Sequence, residues 1–277
     1  GGTTWVSFEV NETNLWYDMK FISSTRGWAV GDSEIISRTD DGGINWSLQH
    51  INRDFMHGVV RSVAFRDLNT GWAVGQGYDP IIGSVLFIQH TTDGGFNWAT
   101  QEAGIGPQQE LNDVYFMNDN VGWAVGSCLW VPQENKNKIL KTINGGATWE
   151  YQAINTDAAF ESIYFTDSNN GWIAGWSGKV YHTANGGTSW SLQSSGTTEI
   201  LNDVFFVDPN IGWAVGIDGS IIKTVNGGAS WSAQTSGSTG LRKVQFLSAA
   251  EGWAVGPGEL IRTIDGGDNW VKVPLSY

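Results

Sequence analysis

The pentapeptide Gly-Trp-Ala-Val-Gly, or a close variant, begins at Gly27, Gly71, Gly122, Gly171, Gly212 and Gly252. A turn motif, Thr-x-Asp/Asn-Gly-Gly-x-Asn/Thr/Ser-Trp, follows each copy. It runs from Thr39 to Trp46, Thr91 to Trp98, Thr142 to Trp149, Thr183 to Trp190, Thr224 to Trp231 and Thr263 to Trp270. A third element precedes each copy and ends at Phe21, Phe65, Phe116, Phe165, Phe206 or Phe246. A period of about 40 to 50 residues sustained along the whole chain is that of a stacked repeat architecture.

Each unit reads as four short strands, A to D. Strand A carries apolar residues such as Leu201, Val204 and Phe206, and ends at a turn such as Asp208-Pro209-Asn210. Strand B is the pentapeptide. Strand C runs as Ser220 to Thr224, and the Asn-Gly-Gly or Asp-Gly-Gly that follows tolerates the positive φ of a tight turn. Strand D runs as Trp231 to Gln234. One such sheet cannot bury its own two faces, but sheets stacked radially bury each other, with the two Trp of each unit as filling. The expected fold is an all-β, six-bladed propeller of four-stranded antiparallel blades. It forms a single domain over 1–277, with repeats at about 15–50, 60–102, 111–153, 160–194, 201–235 and 241–273.

Residues 1–8 break this count. Gly1-Gly2-Thr3-Thr4-Trp5 has the spacing of a turn-motif tail, followed by one strand. A seven-bladed ring or an incomplete seventh blade is therefore the alternative fold. The orphan strand has three possible places: the outer position of the last blade in place of the C-terminal segment, a further edge strand, or pairing with another molecule.

The turn motif resembles the Asp-box of bacterial-neuraminidase-type repeats. With Gly-Trp-Ala-Val-Gly added, the chain resembles the photosystem II stability/assembly factor-like propeller family over essentially its whole length. The resemblance implies a β-propeller. Plant and cyanobacterial members are similar to seven-bladed propellers with a basic patch for their partner, and many other members are bacterial secreted proteins. An extracellular or periplasmic location, with a signal peptide removed, is the corresponding expectation.

Charge excludes some partners. A net charge of −13 repels phosphate backbones and anionic bilayers. The longest apolar run, of about eight residues, is far short of a membrane span. The single Cys128 cannot form an intrachain disulfide.

Candidate site residues are those that depart from the repeat. Asp41, Asp93, Asn144, Asn185, Asn226 and Asp265 share one position, and a catalytic acid or metal ligand would not tolerate the swap to Asn, whereas a turn would. The two longest departures are B–C loops of adjacent units, 75–84 and 126–137. They place Tyr78, Asp79, Trp130, Gln133, Glu134 and Lys136 on the face where propellers bind ligands. Trp176 joins them as an aromatic outside the repeat positions, as does Trp16, either for a platform or for packing between blades. A polar ring at the channel mouth comprises Asp18, Ser62, Asp113, Ser162, Asp203 and Lys243, with Tyr17, Arg61, Asn112, Glu161, Asn202 and Arg242 one position earlier. Its charged members Asp18, Arg61, Asp113, Glu161, Asp203 and Arg242 either solvate the entrance and hydrogen-bond between inner strands, or hold a small polar ligand or ion.

His50, His57, His90 and His182 lack metal-ligand spacing, and His90 and His182 fall in a slot of strand C read as exposed, which other units fill with Arg38, Lys141, Lys223 and Arg262. Neither a Ser-His-Asp arrangement nor a phosphate loop is evident, and no metal or cofactor is expected. The expected function is a non-catalytic protein-interaction or scaffold module binding through the B–C face. A glycan-binding or sialidase-like glycoside hydrolase and a structural subunit joined by strand exchange are the alternatives. A protein partner comes first, a glycan second, with self-association through the N-terminal strand open, and neither nucleic acid nor membrane insertion expected.

Overall fold

The computed structural model describes residues 15–49, 57–81, 83–104, 109–127 and 137–274. The chain is an all-β, six-bladed propeller of four-stranded antiparallel blades. It groups into two compact units of three blades, within Phe8–Asp157 and Ala158–Tyr277.

In the first unit, blade 1 comprises β1 (Trp16–Phe21), β2 (Gly27–Gly31), β3 (Ile36–Thr39) and β4 (Ser47–Gln49). Blade 2 comprises β5 (His57–Phe65), β6 (Gly71–Asp79), β7 (Gly83–Thr91) and β8 (Ala99–Gln101). Blade 3 comprises β9 (Glu110–Phe116), β10 (Gly122–Ser127), β11 (Asn137–Thr142) and β12 (Glu150–Tyr151). In the second unit, blade 4 comprises β13 (Phe160–Phe165), β14 (Gly171–Gly175), β15 (Val180–Thr183) and β16 (Ser191–Gln193). Blade 5 comprises β17 (Leu201–Phe206), β18 (Gly212–Gly216), β19 (Ile221–Thr224) and β20 (Ser232–Gln234). Blade 6 comprises β21 (Lys243–Phe246), β22 (Gly252–Gly256), β23 (Glu259–Thr263) and β24 (Val271–Lys272).

Within each unit, neighbouring blades pack by one rule. Alternation along strand B sends its Trp, and the residue two later, to one face. That face lies on the Phe and Val of strand A in the next blade. Trp28 stacks on Phe65, Trp72 on Phe116, Trp172 on Phe206 and Trp213 on Phe246, at 3.5–3.6 Å between centroids. Each of these indoles is fully buried and donates to a turn-motif carbonyl of the next blade: Gly94, Gly145, Gly227 or Gly266. The turn-motif Trp meets the same Phe edge-on, as Trp98 does with Phe65 and Trp231 with Phe206. A buried Trp removes roughly 200 Å² from water, on the order of 5 kcal/mol as an upper bound before entropy.

The glycines of the pentapeptide answer to close approach. At Gly212 a Cβ would lie 2.5 Å from the Phe206 ring, and at Gly216 it would lie 1.9 Å from the Ile200 carbonyl oxygen.

Two sequence expectations change. The segment 75–84 is not a loop: β6 and β7 continue their ladder out to Asp79↔Gly83, and β5 extends with them, pairing His57 with Tyr78. Apolar Val85, Leu86, Phe87 and Ile88 favour that extension, and Phe87 is buried against the side of Gly75. The outer strand of blade 6 among the described residues is β24, of the C-terminal segment itself. Residues 1–8 lie outside the described residues. Finally, the strand-C slot is not exposed. It pairs across from the strand-B Trp in every blade, as Trp28↔Arg38, Trp72↔His90 and Trp213↔Lys223 show. His90 and His182 stack on Trp72 and Trp172, Lys223 sits 5.6 Å from the Trp213 ring, and Arg38 is 5% exposed. The slot covers the outer edge of an indole with a flat or cationic group.

Candidate functional site

In every blade the start of strand A pairs with the end of strand B, as in Trp16↔Gly31, Leu111↔Gly126 and Leu201↔Gly216. The residues singled out near the strand-A starts therefore share an edge with the B–C turns of their own blade. A register shift recurs here between Trp16 and Asp18, Val60 and Ser62, Phe160 and Ser162, and Leu201 and Asp203. The extra residue at each shift is Tyr17, Arg61, Glu161 or Asn202, the outer members of the polar ring. A bulge of this kind re-aims a side chain that strict alternation would bury.

The inner members are committed to holding blades together. In the first unit, the Ser62 hydroxyl lies 2.9 Å from Asp18 Oδ2 and 2.7 Å from Asp113 Oδ1. Asp18 Oδ2 also accepts the Val63 amide of the next blade at 3.0 Å. In the second unit, the Ser162 hydroxyl donates to Asp203 Oδ1 at 2.9 Å, and Asp203 Oδ2 accepts the Val244 amide at 2.8 Å. Lys243 Nζ lies 3.8 Å from Asp203 Oδ1. Asp113 and Asp203 are 8% and 7% exposed. Carboxylates so placed satisfy inner-strand N–H groups of the neighbouring blade, a structural task.

The outer members behave differently. The Arg61 guanidinium lies 4.6 Å from the centroid of the Tyr17 ring, and the Tyr17 hydroxyl donates to Asp32 Oδ1 at 2.9 Å. Arg61 Nε is removed from solvent and has no hydrogen-bond partner among the described residues. Asn202 Nδ2 donates to the Leu241 carbonyl at 2.6 Å. Glu161 Oε1 accepts the Trp176 indole N–H at 2.6 Å. The Arg242 amide donates to the Val255 carbonyl at 2.7 Å.

Tyr78 stands at the end of the lengthened β6–β7 hairpin and is 48% exposed. Asp79 shapes its turn by accepting the Ile81 amide at 2.8 Å. Trp176 begins a 3₁₀ turn, Trp176–Gly178, with Ser177 at φ 57°, and is 40% exposed. Trp130, Gln133, Glu134 and Lys136 lie outside the described residues. The structure thus brings Trp176 to Glu161, and Arg61 to Tyr17. It ties Asp18 to Asp113 through Ser62.

Sequence reasoning missed Asp32, which orients Tyr17 and through it the platform for Arg61. It also missed Glu259 at the blade 6 hairpin. There the Ser238 hydroxyl above all, with the Thr239 amide and Lys272, holds the carboxyl below the usual range. A polar residue just past a Gly-ended strand B was the available signal for Asp32. For Glu259 the partners come from a distant segment, and no local pattern marks them. Among the described residues, no three His, Cys, Asp or Glu side chains cluster as a metal site would require.

A family model, photosynthesis system II assembly factor YCF48, matches the chain three times, over residues 2–105, 100–195 and 190–277. The photosystem II assembly lipoprotein Ycf48 of Synechococcus sp. (strain CC9902) is 28% identical over 160 residues, which is 56% of this chain and 41% of that protein. The chain therefore spans less than half the length of that curated relative. The solved structure of YCF48 bound to D1 peptide matches with a TM-score of 0.71 at 21% identity, over 96% of this chain and 82% of that one. A GH74 xyloglucanase from Xanthomonas campestris matches with a TM-score of 0.72 at 12% identity, over 97% of this chain and 46% of that one. At these identities the two structures share the fold. The tandem matches together cover every residue from Gly2 to Tyr277, and on them the chain belongs to the photosynthesis system II assembly factor YCF48 family.

Proposed function

We propose that this chain is a non-catalytic interaction module. It takes a peptide segment of a protein partner on the edge that carries the strand-A starts and B–C turns. The observation that carries the reading is the division of labour in the polar ring. Asp18, Asp113 and Asp203 are engaged in blade-to-blade hydrogen bonds, which suits scaffolding and not acid–base work. Arg61 instead rests on the Tyr17 ring, a cation–π contact that holds a guanidinium flat and leaves it suited to recognising a carboxylate or carbonyl. In the unit that holds Arg61, exposed Tyr78 supplies an aromatic anchor of the kind that dominates peptide interfaces. A relative was solved with a D1 peptide bound, which supports a peptide as ligand class. The lipoprotein name of the Synechococcus relative supports a place outside the cytoplasm.

The D1 peptide of that solved complex is the first probe, titrated by calorimetry into the intact chain. Arg61→Ala is expected to weaken binding about 10- to 100-fold, the worth of one charge-assisted hydrogen bond. Deleting residues 129–136 is expected to abolish binding while thermal stability stays nearly unchanged. Binding that survives both changes overturns the reading. The GH74 neighbour favours a second reading, a glycan-active propeller. Release of reducing ends from a xyloglucan oligosaccharide would establish it in place of the first.

A further inference from the structure

Two blades carry the same aromatic–carboxylate pair in opposite order. In blade 1 the bulge residue Tyr17 and the turn residue Asp32 are 15 positions apart, and the Tyr17 hydroxyl donates to Asp32 Oδ1 at 2.9 Å. In blade 4 the bulge residue Glu161 and the turn residue Trp176 are also 15 positions apart, and the indole N–H donates to Glu161 Oε1 at 2.6 Å. The backbone places the two pairs alike. The Asp32 amide donates to the Leu15 carbonyl at 2.9 Å, and the Trp176 amide donates to the Ala159 carbonyl at 3.0 Å. Between the two blades the acid has moved from the turn to the strand, and the aromatic ring from the strand to the turn.

In blade 1 the ring is occupied. The Arg61 guanidinium, from the bulge of the next blade, lies 4.6 Å from the Tyr17 centroid. In blade 4 the next blade offers no such cation. Its bulge residue is Asn202, which is neutral and donates to the Leu241 carbonyl at 2.6 Å. Among the described residues no Lys or Arg lies over the Trp176 ring, which is 40% exposed. Trp presents the strongest cation–π face of the aromatic side chains. An indole N–H donated to a carboxylate polarises the ring further in that direction. The ring is also held in place by its backbone. The Lys179 amide donates to the Trp176 carbonyl at 3.1 Å, and Gly178, at φ 64°, packs so closely on Thr197 that a Cβ would lie 2.0 Å from its carbonyl oxygen. A platform fixed in this way costs little ordering when a ligand arrives.

We infer that Trp176 and Glu161 form a binding site for an arginine side chain of a protein partner, with the guanidinium stacked on the indole and the carboxylate beside it. Two observations single out this occupant. The chain fills the equivalent pair in blade 1 with its own arginine, so Arg61 on Tyr17 is a template for the ligand. The net charge of −13 also draws basic segments toward the surface. A neutral sugar ring is the rival occupant, since it too stacks on an exposed indole. It is disfavoured because it draws nothing from that negative field. The inference goes beyond the peptide reading built on Arg61 and stands without it: the pair belongs to the other compact unit and selects a ligand of the opposite charge.

The probe is the blocked tripeptide acetyl-Gly-Arg-Gly-amide, with its Gln counterpart as the neutral control, titrated into the isotope-labelled chain and followed by NMR. The Trp176 indole N–H signal, assigned by its loss in Trp176→Phe, should shift and saturate with the arginine peptide and stay in place with the glutamine peptide. Glu161→Gln keeps an acceptor for the indole and removes the charge, so it should weaken binding about three- to tenfold. In Trp176→Ala, the upfield ring-current shift of the arginine side-chain protons should vanish, with an unchanged melting temperature showing that the blade stays folded. An indole signal that ignores the arginine peptide, or answers both peptides equally, overturns the inference, as does an affinity unchanged in Glu161→Gln. A shift of the same signal by a xyloglucan oligosaccharide, with none by the arginine peptide, overturns it in favour of a sugar platform.

Discussion

The turn motif shows how one hydrogen-bond position accommodates two residue types. Where it holds Asp, as at Asp41, Asp93 and Asp265, the residue four later is Asn, whose Nδ2 donates to the carboxylate at 2.7–2.8 Å. Where it holds Asn, as at Asn144, Asn185 and Asn226, the residue four later is Thr or Ser, whose hydroxyl accepts from Nδ2 at 2.9 Å. An acceptor-only carboxylate needs a donor opposite, and an amide donor needs an acceptor. The motif is thereby explained as turn chemistry, and Asp265, fully exposed, is held at about 2 first by the Asn269 side chain and then by its backbone amide. The hinge of the turn is the preceding Thr: Thr142 Oγ1 accepts the buried Gly146 amide at 2.8 Å. Thr142→Val removes that acceptor and leaves the amide orphaned, so urea denaturation should show a loss of about 1–3 kcal/mol. His90 and His182 are depressed below their ordinary value by burial alone. Their neutral form is favoured in the folded state, and the unfolded chain binds more protons below about pH 6.5. Their contribution is present above that pH and is lost as pH falls through and below it. Thermal melts from pH 7.5 to 5 should show a decline that flattens in a His90→Gln, His182→Gln variant.

At the scale of the element, the pentapeptide carries more constraint than its composition suggests. Its Trp and Val face the next blade, while its Gly residues allow a Phe ring and a backbone carbonyl to sit against the strand. A ring can shift, but a carbonyl held in a β-ladder cannot. Gly216→Ala, with a Cβ 1.9 Å from the Ile200 oxygen, should therefore cost about 1–3 kcal/mol or more in a urea titration, and exceed Gly212→Ala. The strand pattern, the turns and the identity of the core Trp were legible because they recur. The extension of β6 and β7 was not: Gly75, Gly77, Pro80 and Gly83 look like a loop, and only pairing with β5 and burial of Phe87 make them a ladder. The bulge that brings out Tyr17, Arg61, Glu161 and Asn202 was legible only as a column of polar residues. Its effect depends on register, which local sequence does not display.

For the whole molecule, charge and repetition act together. A surface at −13 keeps acidic polymers away, so a basic side chain among the bulge residues, Arg61, stands out against the general field. Six copies of three motifs determined the class of fold, the number of blades and the reading of Asp and Asn as structural, because turn geometry, strand periodicity and Trp packing are local or nearest-neighbour matters. The tertiary structure decided which equivalent positions differ. Met19 and Phe21 follow the same pattern as Val63 and Phe65, yet one pair is exposed and the other buried. Asp18 and Arg61 are neighbours in the polar-ring reading, yet the carboxylate is taken up by a backbone amide and a serine, while the guanidinium lies on a tyrosine. A residue's partner is set by which blade lies against its own, and that contact joins segments about 40 residues apart, beyond the reach of any local pattern.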